Sequence, residues 1–160
     1  MNVGSYCYFT ETHNLDYLWM PDKEYSAGSF GFVGGDYLRF KSKRRNNIGT
    51  DVSIKGTEND PIYQTQVIGL DAYKFEVPKG TYELTLLMAE LKTRNENIMD
   101  ISVNNKKIWT NINLKKQFGS DRGVEKRFLI SVDDTNGITI DFKAIKGETR
   151  LSGVKLRKVN

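Results

Sequence analysis

Cysteine, histidine and proline are scarce in this chain of 160 residues: one, one and three. Cys7 alone cannot form an internal disulfide, and a Cys-rich metal site is excluded. With His13 as the single histidine, a multi-His zinc centre is excluded too, and Ser-His or Cys-His nucleophile chemistry gains no support. Cys7 alternates with Tyr6 and Tyr8 in strand-like sequence, so a buried, inert thiol is expected. His13 lies among polar neighbours and reads as a surface-loop residue. No apolar run approaches the roughly 20 residues of a membrane helix. The start, Met1-Asn2-Val3-Gly4, lacks a basic segment followed by an apolar one, so it is no signal peptide. It leads almost directly into strand-like sequence, as expected of a domain excised from a longer protein that carries any targeting signal elsewhere. Nor does any stretch of about ten residues hold an apolar period of 3.6, so no helix is expected.

Charge is also short of a message. The net charge is +4 and the isoelectric point about 9.1, but the basic residues are scattered. Their one cluster, Lys41, Lys43, Arg44 and Arg45, reads as a solvated loop rather than a phosphate track, and no nucleic-acid partner is expected. The glycines of Ser29-Phe30-Gly31-Phe32-Val33-Gly34-Gly35 precede no Lys-Ser/Thr pair and no helix, so they serve turns and close packing, not phosphate.

What is present is alternation. Short runs with period two occur at residues 6–9, 62–67, 72–77, 81–91, 99–103, 106–109, 128–132, 138–142 and 151–159, separated by turn residues. Such spacing argues for an all-β sandwich or barrel, folded as a single domain over 1–160. In the run 81–91, Tyr82, Leu84, Leu86 and Met88 share one face while Leu87, Ala89 and Leu91 occupy the other. This strand is therefore expected at the centre of a sheet, covered on both sides. Asn104-Asn105 reads as a tight hairpin turn, and Asp133-Asp134-Thr135-Asn136-Gly137 as another. Residues 22–55 lack clean periodicity and read as an ordered loop across one end of the sandwich, a common place for binding surfaces.

Glu90 continues the apolar face of its strand. A carboxylate there needs a partner, and Glu90 is expected to be buried or half-buried against a loop arginine or backbone amides. Glycoside hydrolysis would require a second carboxylate that the sequence does not single out. The remaining chemistry is aromatic, since sugars stack on exposed Trp and Tyr. Trp19, Tyr25 and Tyr37 lie off the regular strands and are the candidates, although Trp19 between Leu18 and Met20 reads more readily as core. Trp109, at a strand end, is open between the two roles. A structural calcium, which sandwich modules sometimes hold, is not expected, because no loop carries a dense acidic set. No cofactor is expected.

An ordered set of segments resembles the malectin and malectin-like domains: Ile62-Tyr63-Gln64-Thr65, Tyr73-Lys74-Phe75-Glu76-Val77-Pro78, Gly80-Thr81-Tyr82, Ala89-Glu90, Ile101-Ser102-Val103-Asn104-Asn105 and Arg150-Leu151-Ser152-Gly153-Val154. The N-terminal segments Asn2-Val3-Gly4-Ser5, Trp19-Met20-Pro21-Asp22-Lys23-Glu24-Tyr25 and Gly28 to Gly35 resemble the malectin-like domain at the C-terminus of bacterial glycoside hydrolase family 2 β-galactosidases. The resemblance implies a jelly-roll-like antiparallel β-sandwich of the galactose-binding-like kind. It also implies a non-catalytic accessory carbohydrate-binding module of a β-galactosidase-like parent, periplasmic, secreted or at the cell surface, and not in a membrane. The partner would be a galactoside- or glucoside-containing glycan. The alternative is a spacer that docks on the catalytic domain of the parent chain and binds no sugar. Malectin stacks its glycan on aromatics that here align with Ile48, Ile68, Lys92 and Thr93, so its platform is missing. The candidate sugar contacts are Trp19, Tyr25, Tyr37, Asn47, Tyr63 and Lys92.

Overall fold

The structure is a computed structural model. It describes all residues except 12, 15, 16, 42–45, 92–94, 134, 135 and 160, and the side chains of residues 41 and 46. Its strands in chain order are β1 (Phe9–Thr10), β2 (Leu18–Trp19), β3 (Phe30–Tyr37), β4 (Arg39–Lys41), β5 (Asn46–Ile48), β6 (Val67–Phe75), β7 (Gly80–Ala89), β8 (Ile98–Val103), β9 (Lys106–Ile112), β10 (Gly123–Val132), β11 (Ile138–Lys146), β12 (Arg150–Leu151) and β13 (Gly153–Val159). Two five-residue helices interrupt them, α1 (Asp60–Gln64) and α2 (Leu114–Phe118).

A three-stranded sheet, ordered β10-β7-β13, faces a six-stranded sheet, ordered β12-β6-β11-β8-β9 with β3 also paired to β6. All these strand pairings are antiparallel, and the result is the expected β-sandwich. β7 lies at the centre of the smaller sheet. Its inward residues Leu84, Leu86 and Met88 pack in one core with Tyr73, Ile101 and Ile140 of the larger sheet. Its outward residues Leu87 and Ala89 join Leu91, Trp19, Ile54, Ile62 and Tyr63 in a second cluster. The two-sided alternation is thus satisfied by two separate layers. At roughly 1.5–3 kcal/mol for each large apolar side chain fully buried, this strand alone anchors much of the fold. Asn104 and Asn105 take positive φ of 48° and 65° and close the β8–β9 hairpin as expected.

Several expectations are corrected. Residues 62–64 are not strand but part of α1, entered through Asn59 with Pro61 in its first turn, and the strand begins later, at Val67. A proline in the first helical turn gives up an N–H that would be unpaired anyway. α2, also unforeseen, is capped by Asn113, whose side chain accepts the Lys116 amide at 2.9 Å. The stretch 22–55 is not a loop throughout, because it contains β3, β4 and β5. β3 escapes a period-two reading because its register shifts between Val33 and Gly34, where Gly34 and Gly35 have φ of 69° and 78°. A Cβ at Gly35 would meet Ile68 O at 2.5 Å, so the bulge admits no side chain there. In the segment read as a strand over residues 6–9, only Phe9 pairs, and Cys7 is exposed rather than buried. Among the described residues, no helix is long and apolar enough to cross a membrane.

Candidate functional site

β3 is the element that gathers the tyrosines. Before the bulge, Phe32 points into the core. Beyond it, the half-buried Tyr37 stands with one edge against Phe32, centroids 5.6 Å apart. Its other neighbour is Tyr6, with centroids 4.7 Å apart and rings tilted by 49°. Tyr6 is 62% exposed, so the pair forms a ridge with an apolar face open to solvent. Burial, then a hydrogen bond to Tyr6, raises the pKa of the Tyr37 hydroxyl.

Tyr25 lies along the same strand. Its amide donates to Phe32 O at 2.8 Å. Its hydroxyl donates to Glu76 Oε1 at 2.6 Å, and the Gly28 amide donates to the same oxygen at 2.7 Å. The Tyr25 hydrogen bond, followed by that amide, holds the Glu76 carboxyl below its ordinary range. Lys74 Nζ sits 5.1 Å from the Tyr25 ring centre. These contacts fix the ring in place at the side of a hollow of about 290 Å³ lined by Glu24, Tyr25, Phe32, Val33, Gly34 and Gly35.

Beneath this surface, Asp22 is buried. It accepts the Tyr73 hydroxyl at 2.8 Å and the Gly4 amide at 3.3 Å. Burial pushes its carboxyl up to about 6, against the pull of these hydrogen bonds. Because the folded pKa lies above the unfolded one of 3.8, the folded chain holds the extra proton. The resulting stability is complete below about pH 4 and is lost as pH rises through about 6. Relative to Asp22→Asn, the native chain should therefore lose roughly 2 kcal/mol between pH 4 and pH 7. Urea melts of both proteins across that range check this, and a constant difference between them would show that Asp22 is not shifted.

The other candidates fall elsewhere. Trp19 is 1% and Tyr63 4% exposed. Both belong to the second core cluster, and a buried ring offers no face to a sugar. Asn47 is exposed on β5, paired with Phe40 across the β4–β5 hairpin. Lys92 and Thr93, together with Lys43, Arg44 and Arg45 of the basic loop, lie outside the described residues. His13 is exposed, with Nε2 2.7 Å from Glu58. Trp109 is half-buried against Phe118 and Phe128. Glu90 is buried against an arginine, as expected, but the arginine comes from a strand and not a loop: Arg150, on β12, brings Nη1 within 2.9 Å of Oε1. Asn97 Nδ2 donates to the same oxygen at 3.0 Å. Among the described residues, no group of three or more His, Cys, Asp or Glu is placed to hold a metal ion. Sequence reading missed Tyr6, whose only signal was its place two residues after Gly4, a glycine with φ of 77° that turns the chain.

Two packed antiparallel sheets with a tyrosine-bearing edge define a β-sandwich module. The malectin domain family model matches residues 9–156, and the chain belongs to that family. Among solved structures, a Bacteroides uniformis beta-glucuronidase is 32% identical with a TM-score of 0.90, over all of this chain and 18% of that one. Beta-glucuronidase 2 of the same organism, covalently bound to cyclophellitol-6-carboxylate aziridine, is 31% identical with a TM-score of 0.89, over all of this chain and 17% of that one. The present chain thus spans less than a fifth of these enzymes. The ANXUR1 extracellular domain of Arabidopsis thaliana shares the fold at 19% identity, with a TM-score of 0.75, over all of this chain and 47% of that one. No curated protein matches the chain.

Proposed function

We propose that the chain is a non-catalytic, carbohydrate-binding accessory module of a longer glycoside hydrolase. The matched enzymes carry the name beta-glucuronidase, which favours a glucuronidase-like parent over the β-galactosidase-like one expected from sequence. Such a parent would act outside the cytoplasm, on glycans. The observation that carries the binding reading is the Tyr6–Tyr37 ridge beside the hollow at Tyr25 and Glu24, in a chain of the malectin family. The exposed ring stacks on the apolar face of a sugar, and Glu24 and the peptide groups of the bulge address its hydroxyls. Asn47, exposed on β5, and Lys92 are further proposed contacts. Glu90 takes no part, because Arg150 and Asn97 hold it away from solvent.

Calorimetry of the isolated chain with galactosides, glucosides and methyl β-glucuronide tests the reading. Tyr37→Ala is expected to weaken binding about tenfold, the equivalent of roughly 1.4 kcal/mol for one aromatic contact, while the protein still folds. Absence of heat with every glycan would leave the second reading, a spacer docked on the catalytic part. That reading has its own observation: Tyr8, Leu18 and Met20 are exposed apolar residues on and beside the β1–β2 hairpin.

A further inference from the structure

The outer face of the three-stranded sheet carries a second constellation. Register places Arg127, Thr85 and Lys155 in one transverse row across β10, β7 and β13. The next row is Leu129, Glu83 and Arg157. Glu125 and Tyr17 complete a shallow dish of about 180 Å³ over these rows. Thr85 is buried in its floor. Tyr17 forms a rim, 37% exposed, and meets Trp19 edge-on at 5.8 Å. Lys155 Nζ lies 4.5 Å from the Tyr17 ring centre and 4.6 Å from that of Trp19, and pairs with Glu11 at 3.1 Å. The rim aromatic is therefore clamped rather than free to turn.

The charges are arranged in pairs. Arg127 Nη2 lies 2.6 Å from Glu125 Oε1, and Arg157 Nη2 lies 3.2 Å from Glu83 Oε1. With Glu11 and Lys155, each base faces an acid and the dish presents no net charge. Pairing uses only part of each group's capacity, since a carboxylate has about four lone-pair sites and a guanidinium about five N–H donors. What is left is a grid of oriented donors and acceptors beside an apolar ring, over a hydroxyl floor. That chemistry suits a polyhydroxylated ligand and gives an ionic one no electrostatic advantage.

We infer that this sheet face is a binding surface for a neutral oligosaccharide, with Tyr17 as the stacking residue and Thr85, Glu83 and Arg127 as hydroxyl contacts. The inference rests on the carbohydrate-module reading but concerns a different surface from the Tyr6–Tyr37 ridge. The test is a titration of the isotope-labelled chain with lactose, cellobiose and methyl β-glucuronide, following backbone amide resonances. Lactose or cellobiose is expected to move the amides of Tyr17, Glu83, Thr85 and Arg127. The affinity should change less than about twofold between about 0.05 and 0.5 M salt, because no net charge is engaged. Tyr17→Ala should weaken it at least about fivefold, and Tyr17→Phe should retain most of it. Shifts confined to Tyr6, Tyr25 and Tyr37 would overturn this inference and leave the ridge standing. Shifts with the glucuronide alone, fading with salt, would overturn the neutral class. No shift with any probe would overturn both surfaces.

Discussion

Arg150→Met is expected to cost about 3–5 kcal/mol of folding stability, more than any surface change in this chain, because it removes a buried cation that faces the Glu90 carboxylate in the core. Both side chains are 2% exposed. Nη1 lies 2.9 Å from Oε1, close enough for strong attraction, although its N–H does not point at that oxygen in hydrogen-bonding geometry. The Arg150 Nε also has no hydrogen-bond partner among the described residues. The guanidinium is accordingly pushed down from its usual pKa by burial, with Glu90 and then Glu148 working in the opposite direction. Such a pair is held by proximity but incompletely satisfied, so removing both charges should be far milder than removing one. The double variant Glu90→Gln with Arg150→Met is expected within about 1 kcal/mol of the native chain, since the side-chain amide oxygen that replaces the carboxylate would still accept from Asn97. Urea denaturation of the three proteins is the measurement. A single-variant loss under about 1 kcal/mol, or a double variant as unstable as the single, would mean that Arg150 is not what balances Glu90.

That pair was foreseeable in part. Alternation put Glu90 on the apolar face of β7, and a carboxylate there demanded a partner. Which arginine answered was not legible, because Arg150 arrives on a two-residue strand much later in the chain, joined to β6 rather than to β7. β7 itself was legible because both its faces are apolar and its neighbours on either side are long. β3 was not, because the glycine bulge breaks the period that identifies a strand. α1 was hidden by its length: five residues are too few for a helical period, although Asn59, Asp60 and Pro61 are a helix-start signal that outweighs the apolar Ile62 and Tyr63 behind them. The candidate surfaces were legible only as residue types. Tyr6 meets Tyr37 at the end of β3, Tyr25 is tied to the same strand through Phe32, and Tyr17 meets Lys155 beside the β1–β2 hairpin, none of which any local pattern announces.

Trp19 separates the two roles an aromatic can play here. Its neighbours Leu18 and Met20 are exposed, and strand alternation turns Trp19 inward between them. Its ring packs with Ile62, Tyr63, Leu87 and Ala89, and Nε1 donates to Glu11 at 2.9 Å. β13 comes close enough beneath it that a Cβ on Gly153 would sit 3.1 Å from the ring and 3.0 Å from Ile62. Trp19→Ala is therefore expected to cost about 3–5 kcal/mol, from lost burial and from a cavity that the surrounding strands cannot close. The indole also underlies Lys155 and Tyr17, so the loss should extend to the sheet-face dish and spare the Tyr6–Tyr37 ridge. Denaturation melts give the first quantity. Amide shifts with lactose or cellobiose, taken below the melting transition, give the second. A Trp19→Ala protein of native stability that had lost glycan binding would reverse the assignment and make Trp19 a contact. A destabilised protein that still bound at Tyr37 would place the ring where the packing does, in the layer that holds β7 from outside.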